Sequence, residues 1–226
     1  MKRQGNIYPK ICEPENIKLA IIYAARGKKK RKNVLRVLEK LDVAILQVYE
    51  ILINNNYKPS PYQEKVIHDG VRKKERIIYK PCFFPDQIIH WCLMLQIEPI
   101  LGKGMYDFCC ASVKNRGIHY GAKHIRKILM DDRKNTKYCL KLDIKKFYPS
   151  IDKEILKRKF RKKIKCRNTL ELIDTIIDSS TKGLPIRKLY FTMVCKFLFA
   201  RFRPLHKRNI TCKTLYKVYG WYGSFS

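Results

Sequence analysis

Lys141-Leu-Asp-Ile-Lys-Lys-Phe-Tyr-Pro-Ser-Ile-Asp152 joins the end of an apolar run to the start of a helical pattern. Residues 138–142 are expected to form a buried strand that ends at Asp143. A carboxylate at the end of an apolar strand can project into a cleft. Mg²⁺ takes one or two such carboxylates together with substrate phosphates. Tyr148 lies five residues on, beyond the expected turn, where its ring can pack beneath a nucleotide sugar. The same pattern also fits a carboxylate with a purely structural role. Asp152 reads as a helix N-cap, because a helical pattern follows directly and Asp accepts from backbone N–H groups of a first turn.

Outward from this segment the chain alternates helices with one pair of strands. Leu38, Leu41, Ile45, Val48 and Leu52 recur at spacings of three and four, which predicts one long helix ended by Asn54, Asn55, Asn56, Pro59 and Pro61. Residues 63–68 and 76–80 are expected to form a hairpin about a turn at His68-Asp69-Gly70. Pro85 should open a second helix through Trp91, Leu95 and Ile100. Further helices are expected over 118–130 after Gly117, from Asp152 to about Ile164, and over 169–180. The fold class is therefore α+β. A compositional boundary follows Ile186: residues 187–226 hold nine Lys or Arg and no Asp or Glu.

Across its 226 residues the chain carries 50 Lys+Arg against 19 Asp+Glu, a formal net charge of +31. An excess of that size points to a polyanion, with nucleic acid ahead of an anionic membrane surface. Fourteen Tyr and ten Phe accompany the charge, and aromatics beside cations suit stacked bases. The densest basic run is Lys28, Lys29, Lys30, Arg31 and Lys32, a candidate nucleic-acid contact. No apolar run reaches the roughly 18 residues of a membrane span, and the N-terminal residues lack an apolar signal core. Nine cysteines are scattered without a C-x-x-C pair, which fits free thiols in a reducing cytoplasm better than disulfides or zinc. His119 and His124 are five apart, not the four that would put two ligands on one helical face.

Residues 141–151 resemble the first catalytic motif of bacterial reverse transcriptases, the type found with group II introns, retrons and diversity-generating elements. Lys58-Pro-Ser-Pro61 and Arg76-Ile-Ile-Tyr-Lys-Pro81 resemble that family's fingers hairpin. Phe84-Pro-Asp-Gln-Ile-Ile-His90 with Leu95-Gln-Ile-Glu-Pro-Ile100 resembles the helix that follows it. Asn115-Arg-Gly-Ile-His-Tyr-Gly-Ala122 and Gly183-Leu-Pro-Ile186 resemble two later segments. The resemblance spans about residues 17–186 and implies an RNA-directed DNA polymerase of a mobile element, with fingers and part of the palm of a right-hand polymerase. It implies RNA template, DNA primer and deoxynucleoside triphosphates as partners, no membrane, and Mg²⁺ (or Mn²⁺) as cofactor in two-metal nucleotidyl transfer. Asp143 and the Ile144 carbonyl become metal ligands, with Asp143 the catalytic carboxylate. Tyr148 senses the sugar, and Arg76 and Lys74 face the triphosphate. Without the resemblance, Arg76 reads equally as a solvated hairpin charge.

The resemblance ends after Ile186. The family continues with Gly-Asn, a helix carrying Ser-Gln, and a hairpin supplying two more carboxylates. This chain continues with Arg187-Lys188 and no acid, so only one of three expected carboxylates is present, and a thumb is expected to be missing. Read one base forward, codons permitted by residues 187–197 give G-N-x-T-S-Q-W-F-A-N and an aromatic. Met193 before Val194 forces the Trp. In the same frame, residues 216–222 permit I-K-Y-M-D-G-M, where Trp221 before Tyr222 forces the glycine. The expected organisation is a basic helical region at 1–56, fingers at 57–115, partial palm at 116–186 and an out-of-frame tail at 187–226. Competing readings are a non-catalytic RNA-binding remnant, a decay product, and a basic membrane-surface protein. The nucleotide sequence decides the frame: the +1 frame should stay open past codon 226, and stops before codon 200 would refute the shift.

Overall fold

The structure is a computed structural model, and it describes residues 2–69, 74–103, 110, 115–134, 136–137 and 150–180. The chain divides into two units: Met1–Leu101 with Phe147–Phe191, and Gly102–Lys146 with Thr192–Ser226. The strand expected at 138–142, the Gly183-Leu-Pro-Ile186 segment and the tail from 187 lie outside the described residues. What is described is a mixture of helix and strand, as the sequence leads one to expect.

The first unit begins with helices α1 (Tyr8–Cys12) and α2 (Pro14–Ala25), each opened by proline in its first turn. Proline is tolerated there because those N–H groups have no intrahelical partner. Helices α3 (Lys32–Glu39) and α4 (Leu41–Ile53) follow. The periodicity predicts one helix here, but the chain breaks at Lys40, where φ is −115° and ψ 50°. The break has a packing cause. Helix α3 lies against the segment Phe83–Gln87 as well as α4, whereas α4 lies against α2 and α1. A straight helix could not serve both partners. The asparagines end α4 as expected, with Asn55 at a φ of 50°, a left-handed conformation that Asn adopts more readily than most residues.

Strands β1 (Gln63–Asp69) and β2 (Lys74–Lys80) pair antiparallel, from Gln63 opposite Lys80 to Asp69 opposite Lys74. The strands run further than expected, with Asp69 in β1 and Lys74 and Glu75 in β2, and residues 70–73 lie outside the described residues. The segment Phe83–Gln87, kinked at Phe84 (φ −116°, ψ 132°), leads into α5 (Ile88–Gly102), so the α-helix starts three residues after Pro85. Helices α7 (Lys153–Arg161) and α8 (Arg167–Asp178) complete the unit. Asp152 caps α7 as expected, its Oδ1 accepting from Ile155 N at 3.0 Å. Helix α7 stops before Ile164 because the chain turns to bridge Gln4: Gln4 N donates to Lys163 O and Lys165 N to Gln4 O, both at 2.8 Å. The second unit contains α6 (Ile118–Asp131), opened by Gly117 where the sequence places it.

The core of the first unit is aliphatic. Ile11, Ile17, Ile21, Leu52, Ile88, Leu93 and Ile97 are withdrawn from water, as are Phe160, Ile173 and Ile177 from the α7–α8 pair. One buried polar residue ties three helices together. Asn16 Nδ2 donates to Ile11 O (3.0 Å) and Cys92 O (3.2 Å), and its Oδ1 accepts from Gln96 Nε2 (2.7 Å). Asn16→Ala should therefore cost about 2 kcal/mol by stranding buried partners. In urea titrations the midpoint should fall with an unchanged m value.

Candidate nucleic-acid interface

The basic run does not extend a helix; it forms the turn between α2 and α3. Gly27 makes the turn, at a φ of +68° that a side chain would strain. Lys28 N then donates to Ala25 O (2.9 Å), and Arg31 N to Lys28 O (3.0 Å). Helix α3 has no acid in its first turn, and its N-cap position, Arg31, makes no side-chain cap. Cations therefore gather where the helix dipole is already positive. Lys29, Lys30, Arg31 and Lys32 are exposed.

Lys28 behaves differently from its neighbours. It is half-buried, its Nζ donates to Gln87 Oε1 at 2.8 Å, and it sits 5.2 Å from the centre of the Phe83 ring. Gln87 is itself buried, and its Nε2 donates to Pro81 O at 2.7 Å. That second bond fixes which end of the amide faces Lys28. At the end of α2, Arg26 lies 3.9 Å from the centre of the Tyr23 ring, and Tyr23 packs on Trp91 at 5.0 Å.

Of the residues read from the sequence as nucleotide contacts, Lys74 and Arg76 take alternate positions in β2, opposite Asp69 and Ile67. Asp143, Ile144 and Tyr148 lie outside the described residues. Among the described residues no three His, Cys, Asp or Glu side chains gather as a metal site would require, and no helix is long and apolar enough to cross a membrane. Cys12 and Cys92 are buried free thiols, Cys110 is buried, and Cys82 and Cys166 are half-buried. Burial pushes the Cys12 thiol up to about 11, which makes it a poor nucleophile. No protein-family model matches the chain, and no curated protein sequence matches it.

Sequence reasoning missed two clusters. The first is the Lys28–Gln87 contact, whose signal was an amide beside Asp86 within the otherwise apolar residues 81–89. The second lies where β1 is entered and α5 begins. Tyr57 Oη donates to Asp86 Oδ1 (3.0 Å), Ser60 N donates to the same oxygen (3.3 Å), and His90 Nε2 lies 3.4 Å from Tyr57 Oη. Since the Tyr57 hydroxyl gives its proton to Asp86, the His90 contact needs a proton on Nε2. Asp86 Oδ2 is buried without a hydrogen-bond partner among the described residues. Burial, followed by the Asp86 carboxylate, raises the Tyr57 hydroxyl well above its ordinary range. Burial pushes His90 down to about 4 from 6.5.

The His90 shift makes stability depend on pH. The unfolded chain binds the proton near 6.5 and the folded chain only near 4, so the stabilising contribution is complete above about 6.5 and lost as pH falls toward 4. The loss approaches about 1.4 kcal/mol per pH unit within that window. Urea midpoints measured from about pH 7 down to about pH 5 should fall more steeply for the native chain than for His90→Gln. Equal slopes would show that His90 is not held neutral by the fold.

Proposed function

We propose that this chain is the fingers and first palm segment of an RNA-directed DNA polymerase whose reading frame departs from the family's after Ile186, and that as written it binds RNA without extending a primer. The observation that carries the reading is residues 141–152 taken with Gly183-Leu-Pro-Ile186 and the family-like decoding of residues 187–197. The element order supports it: an antiparallel hairpin, a buried helix directly after it, and a basic turn ahead of both. The net charge of +31 supports a nucleic-acid partner.

In this reading Asp143 would hold a divalent ion with help from the Ile144 carbonyl, Tyr148 would exclude a ribose 2′-hydroxyl, and Arg76 with Lys74 would neutralise a triphosphate. Two metal ions, when bound, stabilise the attacking and leaving oxygens of phosphoryl transfer. The residues as written do not make such a site, because the chain supplies one of the three carboxylates and Arg187 stands where the family has a glycine. What remains is phosphate binding by the basic surface, the non-catalytic reading, which the exposed run at residues 29–32 favours.

The test has two arms. The chain as written should bind RNA with an affinity that falls roughly 10³-fold or more as salt rises from low to moderately high, because several counterions are released. Neutralising residues 28–32 should flatten that dependence, and salt-insensitive affinity would remove the polyanion reading. Primer extension should be absent in the chain as written. It should appear in a frame-restored chain and vanish there on Asp143→Asn, with RNA binding kept. Extension by the chain as written, lost on Asp143→Asn, would overturn the claim of inactivity.

A further inference from the structure

A cavity of about 190 Å³ opens between the α2–α3 turn, the closing end of the hairpin and the Phe83–Gln87 turn. Lys28, Arg31 and Lys80 all line it, and none of its described lining residues is an acid. Three cations around one small space repel one another, and the N-terminus of α3 adds positive potential beside them. A fold that brings these groups together around a space, instead of splaying them into water, favours an anion at the centre. The contents of the wall point the same way. Lys28 is held by Gln87 and lies over Phe83, while Gln87 is locked by the Pro81 carbonyl. The ammonium is thus positioned before any ligand arrives, and preorganisation lowers the entropy lost on binding. The exposed Lys29 and Lys30 lack that support.

We infer that this cavity seats one backbone phosphate of a single nucleic-acid strand. Lys28, Arg31 and Lys80 contact its oxygens, and the remainder of the basic run follows the strand outside. The inference rests on the proposed nucleic-acid binding and adds where the strand is gripped. It separates Lys80 from the other hairpin cations: the register closes β2 with Lys80 opposite Gln63, so Lys80 sits at the base of the hairpin beside the turn, not toward its tip. A phosphate is the fitting group because it is tetrahedral, carries charge through its ester linkage and accepts from several cations at once.

Cys82 gives a direct readout, since it lines the same cavity and is half-buried. The purified chain is titrated with a fluorescein-labelled single-stranded RNA at several salt concentrations, and alkylation of each cysteine by iodoacetamide is followed by mass spectrometry. RNA should slow alkylation of Cys82 severalfold and leave Cys166 unchanged. Lys80→Gln and Arg31→Gln should each lower the salt slope by about one, the signature of a lost phosphate contact. Lys80→Arg should restore it, and Lys18→Gln, on the exposed face of α2, should leave it alone. RNA binding with an unprotected Cys82 and unchanged slopes in Lys80→Gln and Arg31→Gln would overturn the inference while the proposed function stands. Failure of the native chain to bind RNA would instead overturn the proposed function itself. Inorganic phosphate protecting Cys82 as well as RNA does at equal phosphate concentration would overturn the assignment to a strand.

Discussion

Helix α5 is enclosed along most of its length, with Ile88, Ile89, Cys92, Leu93, Met94, Ile97 and Leu101 withdrawn from water. A helix buried to that degree can carry polar side chains inward only where each meets a partner, because an unpaired buried polar group costs roughly 1–3 kcal/mol. Its polar residues therefore dictate what packs around it. Asp86, in the turn that feeds the helix, takes the Tyr57 hydroxyl and the Ser60 N–H. Gln87 takes Lys28 and the Pro81 carbonyl, and Gln96 takes Asn16. Each of these bonds fixes a different neighbour: the approach to β1, the basic turn, and the start of α2. The buried helix thus sets both the core of the first unit and the position of its charged surface.

Charge is the second constraint. On α7 and α8 the acids are spent on local pairs: Lys157 with Glu154 and Asp178, Arg161 with Asp174, and Arg167 with Glu171, all at 2.5 to 2.9 Å. Such exposed pairs contribute little individually, about 0–1 kcal/mol, and the two helices still carry six Lys or Arg against four Asp or Glu. Residues 26–38 contain no acid at all. The helical pair thus carries acids beside its cations, whereas residues 26–38 have none, and that stretch includes the positioned ammonium of Lys28. A uniformly basic surface would need no such arrangement.

Features set by a few adjacent residues were the legible ones. Asp152 was readable as a cap because the cap depends on its own side chain and the next three residues. Gly117 marked the start of α6, the asparagines marked the end of α4, and two short runs about a polar His68-Asp69-Gly70 marked the hairpin. The misses were tertiary. Nothing in the spacing of Leu38 and Leu41 shows that α3 and α4 answer to different partners, so the break at Lys40 was invisible. Nor does the sequence pair Lys28 with Gln87, fifty-nine positions away, or Tyr57 with Asp86. Of the candidate site, the basic run was readable as charge, but its division into one positioned lysine and four exposed cations required the fold. Asp143, on which the proposed catalytic reading rests, lies outside the described residues.

Binding and chemistry make unequal demands on such a chain. Phosphate attraction is additive over many cations, acts across several ångströms and survives the loss of any single contributor. Two-metal chemistry needs carboxylates placed together at short range, and losing one empties the site. The change of frame proposed after Ile186 would fall entirely on the second requirement, because the α2–α3 turn, the hairpin and α5 are all encoded before it. The groups that satisfy Asp86, Gln87 and Gln96 are encoded before it too, so the interactions that orient Lys28 do not depend on residues 187–226. On this reading, loss of catalysis and retention of strand binding follow from one event: the cations precede the point of change in the sequence, and the missing carboxylates follow it.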